Sequence, residues 1–200
     1  MKVLVNLKPL ERFTQRIQHC LQNGQGPARK MYNRWAARYR GWASERFDRL
    51  SKSGGGGEWP DLKDATKRAR RQGSAKKIKG LHGAAKAAHK KKLAKGGGKY
   101  SILRDTDDLY AVLNAATGAV AGRTESIVPF GIMVGYGGPA GHKGATGLSI
   151  AELAEVHQEG RGNVPARPII VDPPESLQQT MARDGDVMVR EVIRETDRGD

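Results

Sequence analysis

Cysteine occurs once in this chain of 200 residues, at Cys20. That excludes an internal disulfide and any zinc site built from several thiolates, and it fits a reducing compartment. Apolar residues are also scarce. They make up 38% of the chain, where globular domains usually carry about 45–50%, so part of it is expected to lie outside any core. Long hydrophobic runs are missing. The longest charge-free stretches, 109–122 and 126–142, are rich in Gly, Ala and Pro and fall short of the roughly 18 apolar residues that span a bilayer. The opening MKVLVNLKPLERF has no apolar run of the length a secretory signal needs, so neither a membrane span nor a secretory leader is expected.

Negative charge is the last scarcity. Asp and Glu number 21 against 35 Lys and Arg, a net charge of +14. The excess is uneven: residues 1–50 carry +8, 61–99 carry +12, 100–171 carry −2 and 172–200 carry −4. A field so concentrated favours a polyanionic neighbour. The same composition also suits a solvated loop that the charge merely keeps soluble.

Hydrophobic spacing supplies the elements. Val3, Val5 and Leu7 allow a short opening strand. Leu10, Phe13, Ile17 and Leu21 recur at helical steps behind Pro9 and stop at Asn23-Gly24, with Cys20 beside the stripe. A second helix follows Pro27. Its Tyr32, Trp35, Tyr39, Trp42, Phe47 and Leu50 form a core-facing stripe, and Arg34, Arg38, Arg40, Arg46 and Arg49 form a basic outer face. Ser51–Gly57 has linker chemistry. Residues 61–99 hold few large aliphatics and cannot offset their ordering entropy by burial, so a helical turn near 62–71 and then a mobile basic segment are expected.

Structure resumes near Tyr100. Asp107-Asp108 opens a helix closed by Thr117-Gly118, and Ser126–Tyr136 is the best buried strand, with Pro129 marking an edge. Thr146 or Ser149 caps a helix that carries Ile150, Leu153, Ala154 and His157 on one face and ends at Gly160. Val164–Pro168 is held extended by its prolines and leads to a short strand, Ile169–Val171. Glu175–Arg183 and Val187–Thr196 read as two helices separated at Gly185. The expected fold class is α+β: N-terminal helices packed on a small antiparallel or mixed sheet, with a mobile basic insertion. One domain is expected, in four parts: 1–52 helical, 53–99 linker and basic insertion, 100–173 the α+β core, and 174–200 a C-terminal helical segment.

Catalytic motifs are incomplete. Gly135, Gly137 and Ala140 spell GxGxxA, but no helix opens there and no βαβ pattern surrounds it. Gly141-His142-Lys143-Gly144 lacks the Walker spacing. His157-Gln158-Glu159 matches the HxE fragment of zinc deaminases without the PCxxC that completes it. The histidines at 19, 82, 89, 142 and 157 show no metal-ligand spacing, and no GxSxG elbow is present. No catalytic, cofactor or metal residue is assigned, and the chain reads as a non-enzyme.

Four segments carry a resemblance: Glu58-Trp59-Pro60-Asp61-Leu62; Ile102-Leu103-Arg104-Asp105-Thr106; Ala154-Glu155-Val156-His157-Gln158-Glu159-Gly160; and Val164-Pro165-Ala166-Arg167-Pro168-Ile169. In order and rough spacing over residues 58–171 they resemble the tail-completion or virion-morphogenesis (neck) proteins of Mu-like and P2-like tailed bacteriophages, which are similar to HK97-type tail-completion proteins. The chain departs from that pattern at Asp107, where the family favours Gly, at Glu159, where it has an aromatic, and at Ile169, where it has Phe. The resemblance implies a structural protein of the virion neck or tail, assembled in the host cytoplasm. It would act as copies in a ring between the tail and the head–tail connector, with genomic DNA in the lumen and no cofactor. Its partners would be other copies of itself, tail tube or terminator proteins and connector proteins, with no membrane. Tail termination at the same junction, or a non-phage basic nucleic-acid-binding accessory role, are the alternatives.

Motif residues with an expected interfacial or structural role are Trp59, Pro60, Arg104, Asp105, Thr106, Glu155, His157, Glu159, Gly160, Pro165, Arg167 and Pro168. Arg167, held extended between restricted positions, is expected to pair with Glu155 or Glu159, within one subunit or across two. Lys76, Lys77, Lys79, Lys86, Lys90, Lys91, Lys92 and Lys95 are the candidates to face DNA.

Overall fold

Pro9 has no N–H to lose in the first turn of a helix, and α1 runs Lys8–Asn23 in the computed structural model. The structure describes residues 8–52, 57–68, 82–87, 102–103, 108–114, 121–138, 140 and 147–197. The expected opening strand, most of the Gly linker and of the basic insertion, and the Thr117-Gly118 helix end lie outside the described residues.

After α1 the chain turns at Gly24, whose φ of +57° is costly for a residue with a Cβ. Helix α2 then spans Gly26–Ser51. Helical turns at 64–68 and 83–87 follow, the first where a turn is expected. Next come α3 (Asp108–Asn114), β1 (Arg123–Val128), β2 (Gly131–Tyr136), α4 (Ile150–Glu159) and α5 (Glu175–Asp197). The fold is α+β, with N-terminal helices packed on a two-stranded antiparallel sheet.

The chain divides into two compact units, interleaved in sequence: 1–40 with 124–135 and 172–200, and 41–123 with 136–171. The C-terminal helical segment therefore shares a unit with α1, the first part of α2 and residues 124–135, while most of the 100–173 segment falls in the other unit.

In the first unit α1 packs along α5. Ala28, Met31 and Tyr32 of α2 are buried with Met188 and Val192 of α5, and Phe13, Ile17, Cys20, Leu21, Trp35, Ile127 and Ile132 pack around them. Leu10, expected in this stripe, is exposed, one turn before the packed part of α1 begins. The Tyr32 hydroxyl donates to Leu21 O at 3.0 Å, and burial raises its pKa. The Trp35 indole donates to Met181 O at 2.9 Å. Asp184 lies between Arg38, bonded at 2.9 and 3.3 Å, and Arg34, at 3.9 Å. Lys30 meets Glu191 and Arg16 meets Glu195. Gly185 does not divide α5, which is a single helix of 23 residues. A lone Gly costs only about 1 kcal/mol in a helix, and Met188 and Val192 beyond it are anchored in the core.

The strand expected over 126–136 is instead a hairpin. Pro129 and Phe130 form its two-residue connection, and Phe130 takes φ +62°. Pro129 marks a turn, where its fixed φ is an asset. Alternation then sorts the side chains: Ile127 and Ile132 pack on the core, while Val128 and Met133 face outward and are exposed. The tip is tied to the helices, since Phe130 N–H donates to Leu21 O at 3.2 Å and Gly24 lies against Ile127.

Arg40 and Arg46 correct the basic outer face expected for α2. Arg40 is buried and paired with Glu125, and the Arg46 side chain is largely enclosed. Both turn inward, each towards an acceptor.

In the second unit, Phe47 of α2 meets Trp59 edge-on at 5.4 Å and Tyr110 at 5.6 Å. Ile102 is buried, and its N–H donates to Ser51 O at 2.7 Å. Helix α3 begins at Asp108 and packs on α4. Ser149 caps α4 in a reciprocal box with Glu152. No helix among the described residues is long and apolar enough to cross a membrane.

Candidate functional site

The segment after α4 has to satisfy its backbone without a sheet. Ile169–Val171 does not form the expected strand, because a side chain takes the hydrogen bonds a ladder would use. Gln158 Oε1 accepts from Ile169 N–H at 2.8 Å and Ile170 N–H at 3.0 Å, and Gln158 Nε2 donates to Ile170 O at 2.7 Å. One amide thus mimics a neighbouring strand. The turn between α4 and this segment depends on Gly160, at φ +77°, and on an isolated bridge between Arg161 and Val164.

Arg167 is 5% exposed, and its N–H donates to His157 O at 2.6 Å. Its guanidinium donates from Nε to Pro60 O at 2.9 Å and from Nη2 to Asp61 O at 3.3 Å. The carboxylate partner expected within the chain is therefore corrected: these donations go to backbone carbonyls, and Glu155 and Glu159 are exposed. The Pro-flanked backbone aims Arg167 at the 60–61 segment and away from its own preceding helix.

Trp59 is 3% exposed, and its indole N–H donates to Pro168 O at 3.1 Å. Arg46 Nη1 donates to the same carbonyl at 2.9 Å, and Arg46 and Arg49 together hold Glu58 at 3.0 and 2.9 Å. The Arg49 hydrogen bond, with Arg46 beside it, lowers the Glu58 pKa. Lys67 pairs with Asp61 at 2.7 Å. Residues 58–61 are thus clamped between the end of α2 and the 167–168 segment.

Of the motif residues, Trp59, Pro60, His157, Arg167 and Pro168 come together in this clasp. Gly160 shapes its turn, and Pro165 is half-buried beside it. Arg104, Asp105 and Thr106 lie outside the described residues. So do Lys76, Lys77, Lys79, Lys90, Lys91, Lys92 and Lys95; Lys86 is exposed in the 83–87 turn. Sequence reading missed Gln158 and the inward role of Arg46, because neither has a local signal and both act on backbone more than 10 residues away.

Beside the clasp is a recess of about 370 Å³ lined by Tyr136, Ala151, Glu152, Ala154, Glu155, Gln158, Ile169 and Ile170. Its floor is apolar and two carboxylates stand at its rim. The Ser149 backbone N–H, with its hydroxyl and the nearby Arg161, lowers the Glu152 pKa.

His157 is half-buried and Glu159 exposed, and their spacing on α4 points them to different sides. Among the described residues no group of three or more His, Cys, Asp or Glu could hold a metal ion. What the arrangement does chemically is fix backbone segments to one another. No family model matches this chain, and no curated protein or solved structure matches it.

Proposed function

We propose that this chain is a structural protein of the head–tail junction of a tailed bacteriophage. In this reading it is a tail-completion or neck component that acts as copies in a ring around the DNA channel and catalyses no reaction. The observation that carries the reading is the clasp. Three of the four segments behind the resemblance, around Trp59, His157 and Arg167, bond to one another although they are up to 109 residues apart. Residues recurring together in such a pattern serve shape when their polar groups are used on each other's backbone. A connector that must transmit load between head and tail needs that rigidity.

Charge supports the same setting. The +12 of residues 61–99 suits screening of phosphates without reading base sequence, since Lys contacts to the backbone carry no sequence information. The partners are further copies, tail tube or terminator proteins, connector proteins and the genomic DNA.

Deleting the gene tests the reading. The expected result is full heads and free tails that do not join, repaired by supplying the chain in trans. Joined, infectious particles in its absence overturn it.

A further inference from the structure

Among the described residues the chain exposes an apolar projection and, in its other compact unit, an apolar recess. The projection is the hairpin tip: Phe130 is 57% exposed, and Met133 and Val128 lie exposed beside it. The tip is held in place by the Phe130 N–H bond to Leu21 O and by Ile127 against Gly24. Phe130 keeps a left-handed backbone that a bulky residue rarely adopts and that Gly or Asn adopts at lower cost. A turn alone does not call for Phe there. An aromatic ring held in water at a strained position is the profile of an anchor for a partner. Arg29 is exposed in the first turn of α2, five residues beyond Gly24, which lies against Ile127 of the hairpin.

The recess offers the complement. Ala151, Ala154, Glu155 and Gln158 lie on one stripe of α4, and Tyr136, Ile169 and Ile170 complete the lining. Two alanines leave depth for a ring, and Glu152 and Glu155 make the rim negative.

We propose that the Phe130 tip of one copy seats in the 151–158 recess of a second copy, with Arg29 against Glu155. Tip and recess are different surfaces, so the contact is heterologous and runs head to tail, closing a ring when the rotation divides a full turn. This rests on the ring-forming reading above for its setting; the contact itself is argued from shape and charge.

The test uses the purified full chain in analytical ultracentrifugation at micromolar concentration. Wild type is expected to associate. Phe130→Asn, which suits the left-handed position, and Ala151→Gln, which fills the recess while keeping helix propensity, are each expected to weaken association roughly tenfold or more. Both are expected to retain wild-type circular dichroism. An equimolar mixture of the two variants has one intact tip and one intact recess, so it is expected to form heterodimers that grow no further. A monomeric wild type, either variant associating like wild type, or a mixture that stays monomeric overturns the contact. If both variants assemble normally while gene loss still leaves unjoined heads and tails, the contact fails and the neck reading stands. If the mixture dimerises but particles lacking the chain are joined, the contact stands and the neck reading fails.

Discussion

Trp59 and Arg167 each bond the backbone beside the other. The Trp59 indole donates to the carbonyl of Pro168, and the Arg167 guanidinium donates to the carbonyl of Pro60. Each side chain crosses to the partner's segment, so neither segment can move without breaking both bonds. Phe47, edge-on to Trp59, closes the arrangement from α2.

Removing the guanidinium leaves two half-buried carbonyls without their donor. Arg167→Ala is expected to lower stability by about 2–4 kcal/mol. Arg167→Lys is expected to recover only part of that, because an ammonium is a point donor without the planar fork. Urea unfolding followed by tryptophan fluorescence checks both.

Gln158 holds three backbone bonds with one side chain. Gln158→Leu is expected to cost about 2–3 kcal/mol, since hydrogen bonds in the range of about 1 kcal/mol each are lost and the groups left are partly buried. Gln158→Glu keeps the acceptor and loses the donor to Ile170 O. Hydrogen exchange at the Ile169 and Ile170 amides is expected to speed up strongly in the first variant and less in the second.

Two glycines should respond with opposite signs. A Cβ at Gly160 would come within 2.8 Å of Ala166 N and 3.1 Å of Val164 O, at φ +77°. Backbone cannot step aside there, so Gly160→Ala is expected to destabilise by about 2 kcal/mol or more. A Cβ at Gly185 meets nothing within 4 Å, so Gly185→Ala in α5 is expected to stabilise by about 0.5–1 kcal/mol. Thermal melting of the two variants gives the comparison.

Asp184 is buried between two half-exposed arginines of α2. Asp184→Ala is expected to cost about 2 kcal/mol, below the range for a fully buried pair because solvent reaches both guanidinium groups. The loss relative to wild type should shrink in high salt, as denaturant midpoints at two ionic strengths would reveal.

The Glu58 carboxyl is held below its ordinary pKa by Arg49 and Arg46. A depressed folded-state pKa gives stability that is fully present above the ordinary value, about 4.3. That stability is lost as pH falls below this value and through the folded one. Glu58→Gln is therefore expected to flatten this part of the acid limb of stability against pH and to leave the slope above pH about 6 unchanged.

Much of the local structure was legible in the sequence. Pro9 opens α1 and Asn23-Gly24 ends it. Gly160 ends α4, and of the two caps the sequence offers, Thr146 and Ser149, the structure uses Ser149. These features depend on residues three or four positions apart, and such distances are visible in a sequence. The hairpin was missed because Val128-Pro129-Phe130-Gly131 lacks the Asn-Gly or Asp-Gly signal, and Phe130 supplies the left-handed residue instead. Gly185 misled because helix propensity is weaker than the packing of Met188 and Val192.

By itself the sequence determined where α1 starts and stops, where α4 ends, and where charge accumulates. Only the tertiary structure decided which arginines turn inward, that residues 126–136 fold back on themselves, and that Gln158 stands in for a strand. The reason is physical. A helix is set by neighbours along the chain, but a buried donor takes whichever carbonyl the fold brings within about 3 Å, and for Arg167 that carbonyl lies 107 residues away.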